Sequence, residues 1–208
     1  MRIETEKSHD DVAQPRPKVW LSEDDYEELQ RRAESFRDEI IIRLGGEVGL
    51  RSFEIPQIKR RHVQREVIDD EDYFFLRVPE GKDTTGGGGK ARDAYLPADV
   101  ERLIHRYAEQ HDLGRDDPLV DLTSRSVQRV VQRTAETAAD ETGNQDFELV
   151  RSHDLRRYFA HTCLVEERMN PRVVMDIGGW DDYKSLEPYL SKPSPSTIVD
   201  EFERAGLE

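Results

Sequence analysis

The chain has 208 residues, of which 35% are hydrophobic, and this length can bury one substantial core. No apolar run approaches the length of a membrane span, and the polar, acidic N-terminus has the character of neither a signal peptide nor a transit peptide. The single cysteine, Cys163, excludes a disulfide framework and the usual cysteine-rich zinc sites. We therefore expect a soluble, cytoplasmic protein with one compact domain.

The composition is strongly acidic. The chain carries 45 acidic and 31 basic residues, and its net charge of −14 argues against a nucleic-acid partner. Only seven of the basic residues are lysines, and the others are arginines. An acidic, lysine-poor surface resembles that of proteins from organisms with molar salt in the cytoplasm, where a Debye length of about 3 Å screens repulsion from phosphate. Composition alone nevertheless favours an ordinary acidic protein that binds no nucleic acid.

The first predicted elements are a tail and two helices. Residues 1–19 contain two prolines and show no periodicity, so we predict a flexible N-terminal tail followed by a domain over residues 20–208. An S-x-x-D cap at Ser22 precedes the helical stretch DDYEELQRRAESF, and the helical stretch RDEIIIRLGGEV follows it. A glycine pair at 45–46 interrupts the second stretch, and a short helix begins near Arg51.

The middle and end of the chain predict a hairpin and further helices. YFFLRV (73–78) and ARDAYLP (91–97) are rich in β-forming residues and flank EGKDTTGGGGK, so they form a hairpin with a long tip. Helices follow at about 98–111, 124–139 and 154–167. Asn170 and Pro171 begin a short helix that ends at a glycine pair, and SLEPYL and PSTIVDEFERAG give two last short helices. The predicted fold class is mainly α with a small antiparallel β-sheet.

Residues suited to chemistry lie in four separated blocks of sequence. The blocks are EVGLRSFEI with Arg51 and Glu54, EGKDTTGGGGKARDAYLP with Lys82, RSHDLRRYFAHT with His153 and Arg156, and IGGWDDYKSLEPYL with Trp180 and Tyr189. Their order and spacings resemble the tyrosine recombinase (phage integrase) family, whose pattern is GLRxxE, a hairpin lysine, HxLR, GH or GW, and then a tyrosine. The resemblance runs from about Trp20 to beyond Tyr189, nearly the whole chain.

The resemblance implies the tyrosine recombinase catalytic-domain (DNA breaking-rejoining) fold. It also implies strand cleavage and rejoining through a 3′-phosphotyrosine intermediate in site-specific recombination or integration, with Tyr189 as the nucleophile. The attack builds negative charge on the phosphate, and the guanidinium forks of Arg51 and Arg156 suit its oxygens better than ammonium groups would. Because a phosphotyrosine ester replaces a phosphodiester, the bond energy is retained, and neither ATP nor a metal is required.

The other family positions supply protons and contacts. Lys82, at the end of the first hairpin strand, is placed to protonate the departing 5′-oxygen, and Lys90 competes for this role. His153 contacts the phosphate or handles the tyrosine proton, and Trp180 can donate its indole N–H. Glu54 orients the first arginine or the active-site histidine.

Each assignment has a purely structural alternative. Glu54 can be the partner of a surface ion pair, His153 can simply begin a helix, and Trp180 can be a core aromatic residue. Tyr183 is a rival nucleophile, but its distance from Trp180 does not fit the family. Arg157 is the alternative to Arg156 as the phosphate-binding arginine of HxLR. We expect Arg157 to lie at the protein surface or to contact the DNA backbone.

Three further motifs fail on inspection. TTGGGGKA lacks the first glycine and the final Ser or Thr of a phosphate-binding P-loop. His153 and His161 lie two helical turns apart, too far for an H-E-x-x-H metal site. Cys163 falls on an apolar helix face and is expected in the core.

The expected partner is double-stranded DNA. Only a short tail precedes Trp20, where family members carry a second DNA-clamping domain, so a second polypeptide would be needed to encircle DNA. The final segment, SKPSPSTIVDEFERAGLE, can form an amphipathic helix that packs on its own core or docks on a neighbouring subunit. We expect a monomer that oligomerises on DNA, from a halophilic archaeon. A type IB topoisomerase-like activity and a non-catalytic DNA-binding regulator of the same fold stay open as alternatives.

Overall fold

The structure is a computed structural model, described for residues 1–4, 16–79, 91–190, 199, 202–204 and 206. Within these residues the strands are Arg2–Glu4 (β1), Lys18–Trp20 (β2), Val63–Ile68 (β3), Glu71–Val78 (β4) and Arg92–Leu96 (β5). The α-helices are Glu23–Arg31 (α1), Phe36–Gly46 (α2), Ala98–Gln110 (α3), Ser124–Thr142 (α4), Ser152–His161 (α5) and Pro171–Gly178 (α6). Short 3₁₀ helices occupy Ile55–Gln57, Arg60–His62, Gln145–Leu149, Tyr183–Ser185 and Glu187–Tyr189. No helix in the described part of the chain is long and apolar enough to cross a membrane.

The larger sheet is antiparallel, in the order β3-β4-β5. The predicted hairpin of β4 and β5 is confirmed, whereas its predicted tip, with Lys82 and Lys90, lies outside the described residues. The sequence analysis missed β3. This strand is exposed along nearly its whole length, so its sequence lacks the alternation that marks a half-buried strand. It joins β4 through Asp69 and Asp70, both at positive φ, as a two-residue hairpin turn requires.

The N-terminal residues form a second sheet, in which β1 pairs antiparallel with β2. The amino group of Met1 lies 2.8 Å from the carboxylate of Asp25, and the side chain of Val19 is fully buried. Both ends of the predicted tail over residues 1–19 are thus paired as strands, while residues 5–15 lie outside the described part. Strands of three residues are too short to show a hydrophobic period, which explains why β1 and β2 were not predicted.

Helix α2 is the centre of the helical core. It contacts α1, α3, α4 and α5, and its isoleucines are buried on all sides, so it shows no amphipathic face. As predicted, the helix does not continue past its glycine pair, and it ends at Gly46. A Cβ on Gly46 would lie 2.2 Å from the ring of Tyr26, and one on Gly45 would lie 3.0 Å from Leu155. These glycines let α1 and α5 pack closely against α2.

The predicted helices between residues 98 and 178 are present, with shifted ends. SLEPYL forms only the 3₁₀ helix Glu187–Tyr189, and most of PSTIVDEFERAG lies outside the described residues. α4 runs three residues further than predicted, to a left-handed cap at Gly143, and α6 begins at its Asn170 cap as expected. α5 continues into a π-helix over Thr162–Glu166, which together cover the predicted helix. Instead of a helix at Arg51, the chain makes a turn that leads into the first 3₁₀ helix. Beside the main core, a second apolar cluster joins Trp20, Phe159, Ala160, Leu164, Val174, Trp180, Leu186 and Tyr189.

Candidate active site

Glu54 is the centre of the site's hydrogen bonds, although its side chain is fully buried. Arg51 donates to it twice, from Nη1 to Oε1 at 2.9 Å and from its backbone N–H to Oε2 at 2.7 Å. Arg92 on β5 donates from Nη1 to Oε1 at 2.8 Å and from Nη2 to Oε2 at 3.0 Å. Burial raises the pKa of Glu54, but the hydrogen bonds and charges of Arg92 and Arg51 together outweigh this effect, so the pKa lies below its ordinary value. Glu54 is therefore a carboxylate at neutral pH.

The same two arginines hold the C-terminal end of α6. Arg51 donates from Nη2 to the Gly179 carbonyl at 2.8 Å, and Arg92 donates from Nε to the Ile177 carbonyl at 3.0 Å. Gly179 has a φ of +69°, and a Cβ there would lie 2.8 Å from Cδ of Arg92. A Cβ on the preceding residue, Gly178, would lie 1.9 Å from the ring of Trp180. The glycine pair thus ends the helix, as predicted, and also gives Arg92 and Trp180 the space they occupy.

Arg156 projects from α5 and is only 2% exposed. Its Nη1 donates to the carbonyl of Gly49, and its guanidinium carbon lies 3.7 Å from the centroid of the Trp180 ring, a cation–π stack. Its Nη2 is buried and has no hydrogen-bond partner among the described residues. A buried N–H donor without an acceptor is costly, so this atom marks the place where an acceptor of a ligand would bind.

Neighbouring charges act on Arg156 besides its burial. The pKa of Arg156 is lowered to about 9, mainly by burial; the positive charges of Arg51 and Arg92 add to this lowering, while Glu54 and Tyr189 oppose it. The guanidinium is therefore charged at neutral pH but electrostatically destabilised, a state that an anion placed between the two arginines would relieve.

Tyr189 packs against Trp180 and Trp20. Its ring lies 5.8 Å from that of Trp180 and 6.3 Å from that of Trp20, edge to face in both cases, and it is 8% exposed. Arg156 stacks on the same Trp180 ring, so the phenol and the guanidinium share this neighbour, and Tyr189 raises the pKa of Arg156. The rival residue, Tyr183, is 55% exposed in the preceding 3₁₀ helix. The structure therefore places Tyr189, rather than Tyr183, beside the buried arginine.

The structure joins five of the predicted residues in one network: Arg51, Glu54, Arg156, Trp180 and Tyr189. His153 is exposed on the first turn of α5, one helical turn before Arg156 and so on a neighbouring part of the same face. Lys82 and Lys90 lie outside the described residues. Among the residues that the structure does describe, no group of His, Cys, Asp and Glu is arranged to hold a metal ion.

The prediction for Arg157 is wrong. Its side chain is 6% exposed and donates to the carboxylate of Asp154 and, at 3.2 Å, to the carbonyl of Val19. It therefore anchors β2, and with it Trp20, to α5. Cys163 is half-buried, and burial raises the pKa of its thiol to about 11. The thiol is thus protonated at neutral pH and unreactive, as expected for a structural cysteine.

The sequence analysis did not assign a role to three residues that shape the site: Arg92, Gly49 and Trp20. Gly49 has a φ of +73°, a Cβ there would lie 2.5 Å from the ring of Phe159, and its carbonyl accepts from Arg156. For Arg92 the sequence does contain a signal. In RDAYL it alternates with two apolar residues that point into the core, so strand periodicity places its charge on the buried face.

The sequence profile described as the phage integrase family matches residues 19–194. The chain belongs to the phage integrase family. As predicted, the fold is mostly helical with small antiparallel sheets, and it matches solved tyrosine recombinases. No curated protein matches the sequence.

Three solved structures illustrate the similarity of fold in this integrase family. The XerA recombinase is 18% identical with a TM-score of 0.63, over 90% of this chain and 63% of the XerA chain. The Tn1549 transposon integrase in complex with transposon right end DNA is 17% identical with a TM-score of 0.66, over 95% and 69%. The XerH recombinase in a pre-cleavage complex with difH substrate is 19% identical with a TM-score of 0.66, over 94% and 57%. This chain thus spans less than two thirds of the XerA and XerH chains.

Proposed function

We propose that this integrase-family chain cleaves and rejoins DNA through a 3′-phosphotyrosine intermediate, in site-specific recombination or integration. One observation carries the proposal. A buried arginine, Arg156, has an N–H donor with no partner among the described residues, and it contacts the same Trp180 ring as the buried phenol of Tyr189. A donor that is left unsatisfied in the protein alone is what a site for a phosphate oxygen requires, and a phenol is the nucleophile that forms a phosphotyrosine ester.

The proposed reaction conserves the number of phosphate ester bonds. The Oη atom of Tyr189 loses its proton and attacks the phosphorus, the bond from phosphorus to the 5′-oxygen breaks, and that oxygen takes up a proton. Arg51 and Arg156 bind the non-bridging oxygens, where negative charge builds up. Rejoining is the reverse, with a 5′-hydroxyl attacking the phosphotyrosine. We assign the proton of the 5′-oxygen to Lys82 on the hairpin, with Lys90 as the alternative, because the family resemblance places its lysine there.

His153 and Trp180 complete the proposed site. His153, one turn before Arg156, is assigned to the phosphate or to the tyrosine proton. Trp180 has a double role: its ring supports the guanidinium of Arg156, and its indole N–H is a donor for a phosphate oxygen. The family pattern has either histidine or tryptophan at this position (GH or GW). We propose that the tryptophan of the present chain acts there without a titratable group.

The DNA-facing surface that we propose continues from the site onto the start of α4. The amide of Gln128 donates to Ser52 at 3.1 Å, and Ser52 follows Arg51 directly. Arg125 and Arg129 flank Gln128 on α4 and are exposed. These arginines extend the positive charge of the site along the path of a bound duplex.

We also propose an assembly and a setting. The exposed Val199 and Phe202, 53% and 55% accessible, belong to the predicted last helix and suit docking on a neighbouring subunit. A protein that is a monomer alone would then oligomerise on DNA. Its place of action is the cytoplasm, and the excess of acidic residues indicates a host with molar intracellular salt.

The test is covalent capture. A pool of nicked duplexes with randomised sequence around the nick is incubated with the whole chain, and adducts that survive denaturation are isolated and sequenced. The nick lets the short 5′ fragment diffuse away, so cleavage cannot be reversed. We expect an adduct with wild-type protein and with Tyr183→Phe, but none with Tyr189→Phe, which should still fold and bind DNA.

Other outcomes would change the assignment. An adduct that persists in Tyr189→Phe would exclude this tyrosine as the nucleophile. Capture without sequence preference, together with relaxation of supercoiled plasmid, would indicate topoisomerase-like activity. Duplex binding without any adduct would indicate a DNA-binding regulator.

A further inference from the structure

Arg92 is a buried arginine within the site that cannot itself reach DNA. Its side chain is 7% exposed, and its N–H groups are directed at Glu54 and at the carbonyl of Ile177. Arg51, its counterpart on the other side of Glu54, is 19% exposed and is open to a ligand. The two arginines thus share one carboxylate but differ in what else they can contact.

The carboxylate of Glu54 has all its acceptor positions filled. Oε1 accepts from Nη1 of Arg51 and Nη1 of Arg92, while Oε2 accepts from the backbone N–H of Arg51 and Nη2 of Arg92. A carboxylate has about four lone-pair positions, two on each oxygen. Because Arg92 takes two of them, Glu54 accepts one N–H of the Arg51 guanidinium rather than the usual fork of two. The Nη2 atom of Arg51 is directed to the carbonyl of Gly179 instead.

We propose that Arg92 is a positioning residue of the cleavage reaction: by occupying half of Glu54 it holds Arg51 in the orientation that binds the scissile phosphate. Without Arg92, the guanidinium of Arg51 would turn to meet Glu54 with two N–H groups and withdraw from the phosphate. Arg92 also fixes the turn after α6 that presents Trp180 to Arg156, through its bond to Ile177. The inference rests on the proposed function, in which Arg51 binds the phosphate.

Arg92 has an electrostatic effect that a purely structural residue would lack. The charged groups that face Glu54 are Arg51 on its own turn, Arg92 on β5 and Arg156 on α5. Burial raises the pKa of Glu54, and Arg92 is the main group that lowers it again. Loss of Arg92 therefore raises the pKa of Glu54, so that the carboxylate becomes protonated at a higher pH than in wild-type protein and Arg51 then loses its anchor.

The experiment compares three variants on the nicked duplex that wild-type protein captures from the randomised pool. Arg92→Met removes the fork and the charge, whereas Arg92→Lys keeps the charge and removes the fork. Arg133→Met is the matched control, because Asp38 is also a buried carboxylate between two arginines. Asp38 accepts from Arg133 at 2.6 Å and from Arg37 at 3.1 Å, but these residues lie outside the site network. Single-turnover adduct formation is followed at saturating DNA over a pH series, together with duplex affinity and thermal melting.

We expect Arg92→Met to slow adduct formation by about 10-fold or more, the size typical of losing an outer partner of a catalytic group. Its Kd for the duplex should change little, and its rate should fall at a higher pH than that of wild-type protein. Arg92→Lys should be slower than wild type, yet keep the wild-type position of the acid limb, because the charge remains. Arg133→Met should lower the melting temperature without changing the rate or its pH dependence.

Several outcomes would overturn the inference. Wild-type rates and pH dependence in both Arg92 variants would do so, as would equal effects of Arg92→Met and Arg133→Met. If Arg92→Met does not fold, a wild-type rate of adduct formation by Arg92→Lys is sufficient to reject the inference. Failure of the proposed function has a different signature: wild-type protein would form no adduct, or Tyr189→Phe would form one, and the role of Arg92 would fall with it.

Discussion

Arg51 and Arg156 occupy equivalent places in the sequence pattern, but the structure surrounds their guanidinium groups differently. Arg51 is partly accessible and is compensated by the carboxylate of Glu54. Arg156 is buried, meets only a carbonyl and the face of Trp180, and lacks a carboxylate partner among the described residues. A buried cation of this kind destabilises the protein alone and gains most when an anion binds. Under the proposed function, Arg156 is therefore the residue that a bound phosphate would stabilise most.

This difference predicts unequal results for the same conservative substitution. Arg51→Lys keeps the charge and loses the fork, so cleavage should fall by about 10²-fold. Arg156→Lys should lose the charge as well. Burial lowers the pKa of Arg156 to about 9, and a lysine, which starts about 2 units lower, would titrate near neutral pH at the same place.

The pH dependence of adduct formation by the two variants checks this prediction. A lysine is charged below its pKa, so the Arg156→Lys variant should recover part of its activity as the pH falls below neutral. Arg51→Lys should show no such recovery. Wild-type rates in both variants would mean that these arginines do not bind the phosphate, and parallel pH profiles would mean that burial does not distinguish them.

At the residue scale, the motif pattern named five side chains that the structure brings together. It did not predict Arg92, the residue that positions them. Arg51, Glu54, Arg156, Trp180 and Tyr189 are brought together from positions far apart in the chain. Arg92 was missed because its partner, Glu54, lies 38 residues away and on a different element. Strand periodicity places Arg92 on the buried face, but it does not identify a partner on another element, whereas the spacing within one motif does.

At the scale of elements, prediction succeeded where side chains repeat with a clear period. α3, α4 and α5 have one buried face and recognisable ends, and the sequence predicted each of them. It missed β1 and β2, which are three residues long, and β3, which is exposed. These strands are defined by pairing with a partner strand, which single-sequence periodicity does not detect.

The exposed face of α4 leads to a prediction about DNA binding by an element outside the proposed catalytic site. Arg125 and Arg129 lie one helical turn apart on its exposed face, beside the Gln128–Ser52 contact. If they contact phosphates, their loss should weaken binding equally for the captured duplex and for a duplex of unrelated sequence. We expect roughly a fivefold increase in Kd for each Arg→Ala change, since an exposed charge contact contributes up to about 1 kcal/mol.

Arg133 on the same helix provides the comparison. It is bound to Asp38 at 2.6 Å and to Glu34 at 3.2 Å, so its charge is already compensated within the protein. Arg133→Ala should leave duplex affinity unchanged in an equilibrium binding titration. Equal loss of affinity in all three variants would indicate a non-specific effect of net charge, and no loss in any would remove α4 from the proposed DNA surface.

At the scale of the whole molecule, most arginine charge is compensated internally. Exposed or partly exposed arginines pair with carboxylates throughout the surface: Arg31 with Glu28, Arg60 with Glu109, Arg61 with Asp116, Arg65 with Asp72, and Arg77 with Asp93. Such pairs contribute little to stability at exposed positions. The excess of 45 acidic over 31 basic residues gives the net charge of −14. These negative charges repel one another and also repel an approaching phosphate backbone.

The last prediction follows from the different ranges of these forces. At roughly 0.1 M salt the Debye length is about 10 Å, so the acidic surface is felt across the protein and at the docking face. At molar salt it is about 3 Å, and both repulsions fade, whereas the bonds of buried groups such as Glu54 and Arg156 are screened much less. Most proteins bind DNA more weakly as salt rises, because binding releases counterions from the DNA and this release is less favourable at high salt. For this acidic protein, the loss of long-range repulsion at high salt opposes that weakening.

Folding stability and DNA cleavage should therefore both increase between about 0.1 M and 1 M KCl. We expect the melting temperature to rise by about 5 °C or more, which corresponds to about 2 kcal/mol for a chain of this size. Thermal melting and the yield of covalent adduct are measured across the same KCl series, with NaCl as a second salt to separate screening from a specific ion effect. A chain that is well folded and most active at the lowest salt would contradict adaptation to molar salt. Its acidity would then argue against DNA as the substrate, because nothing would screen the repulsion between the protein and the phosphate backbone.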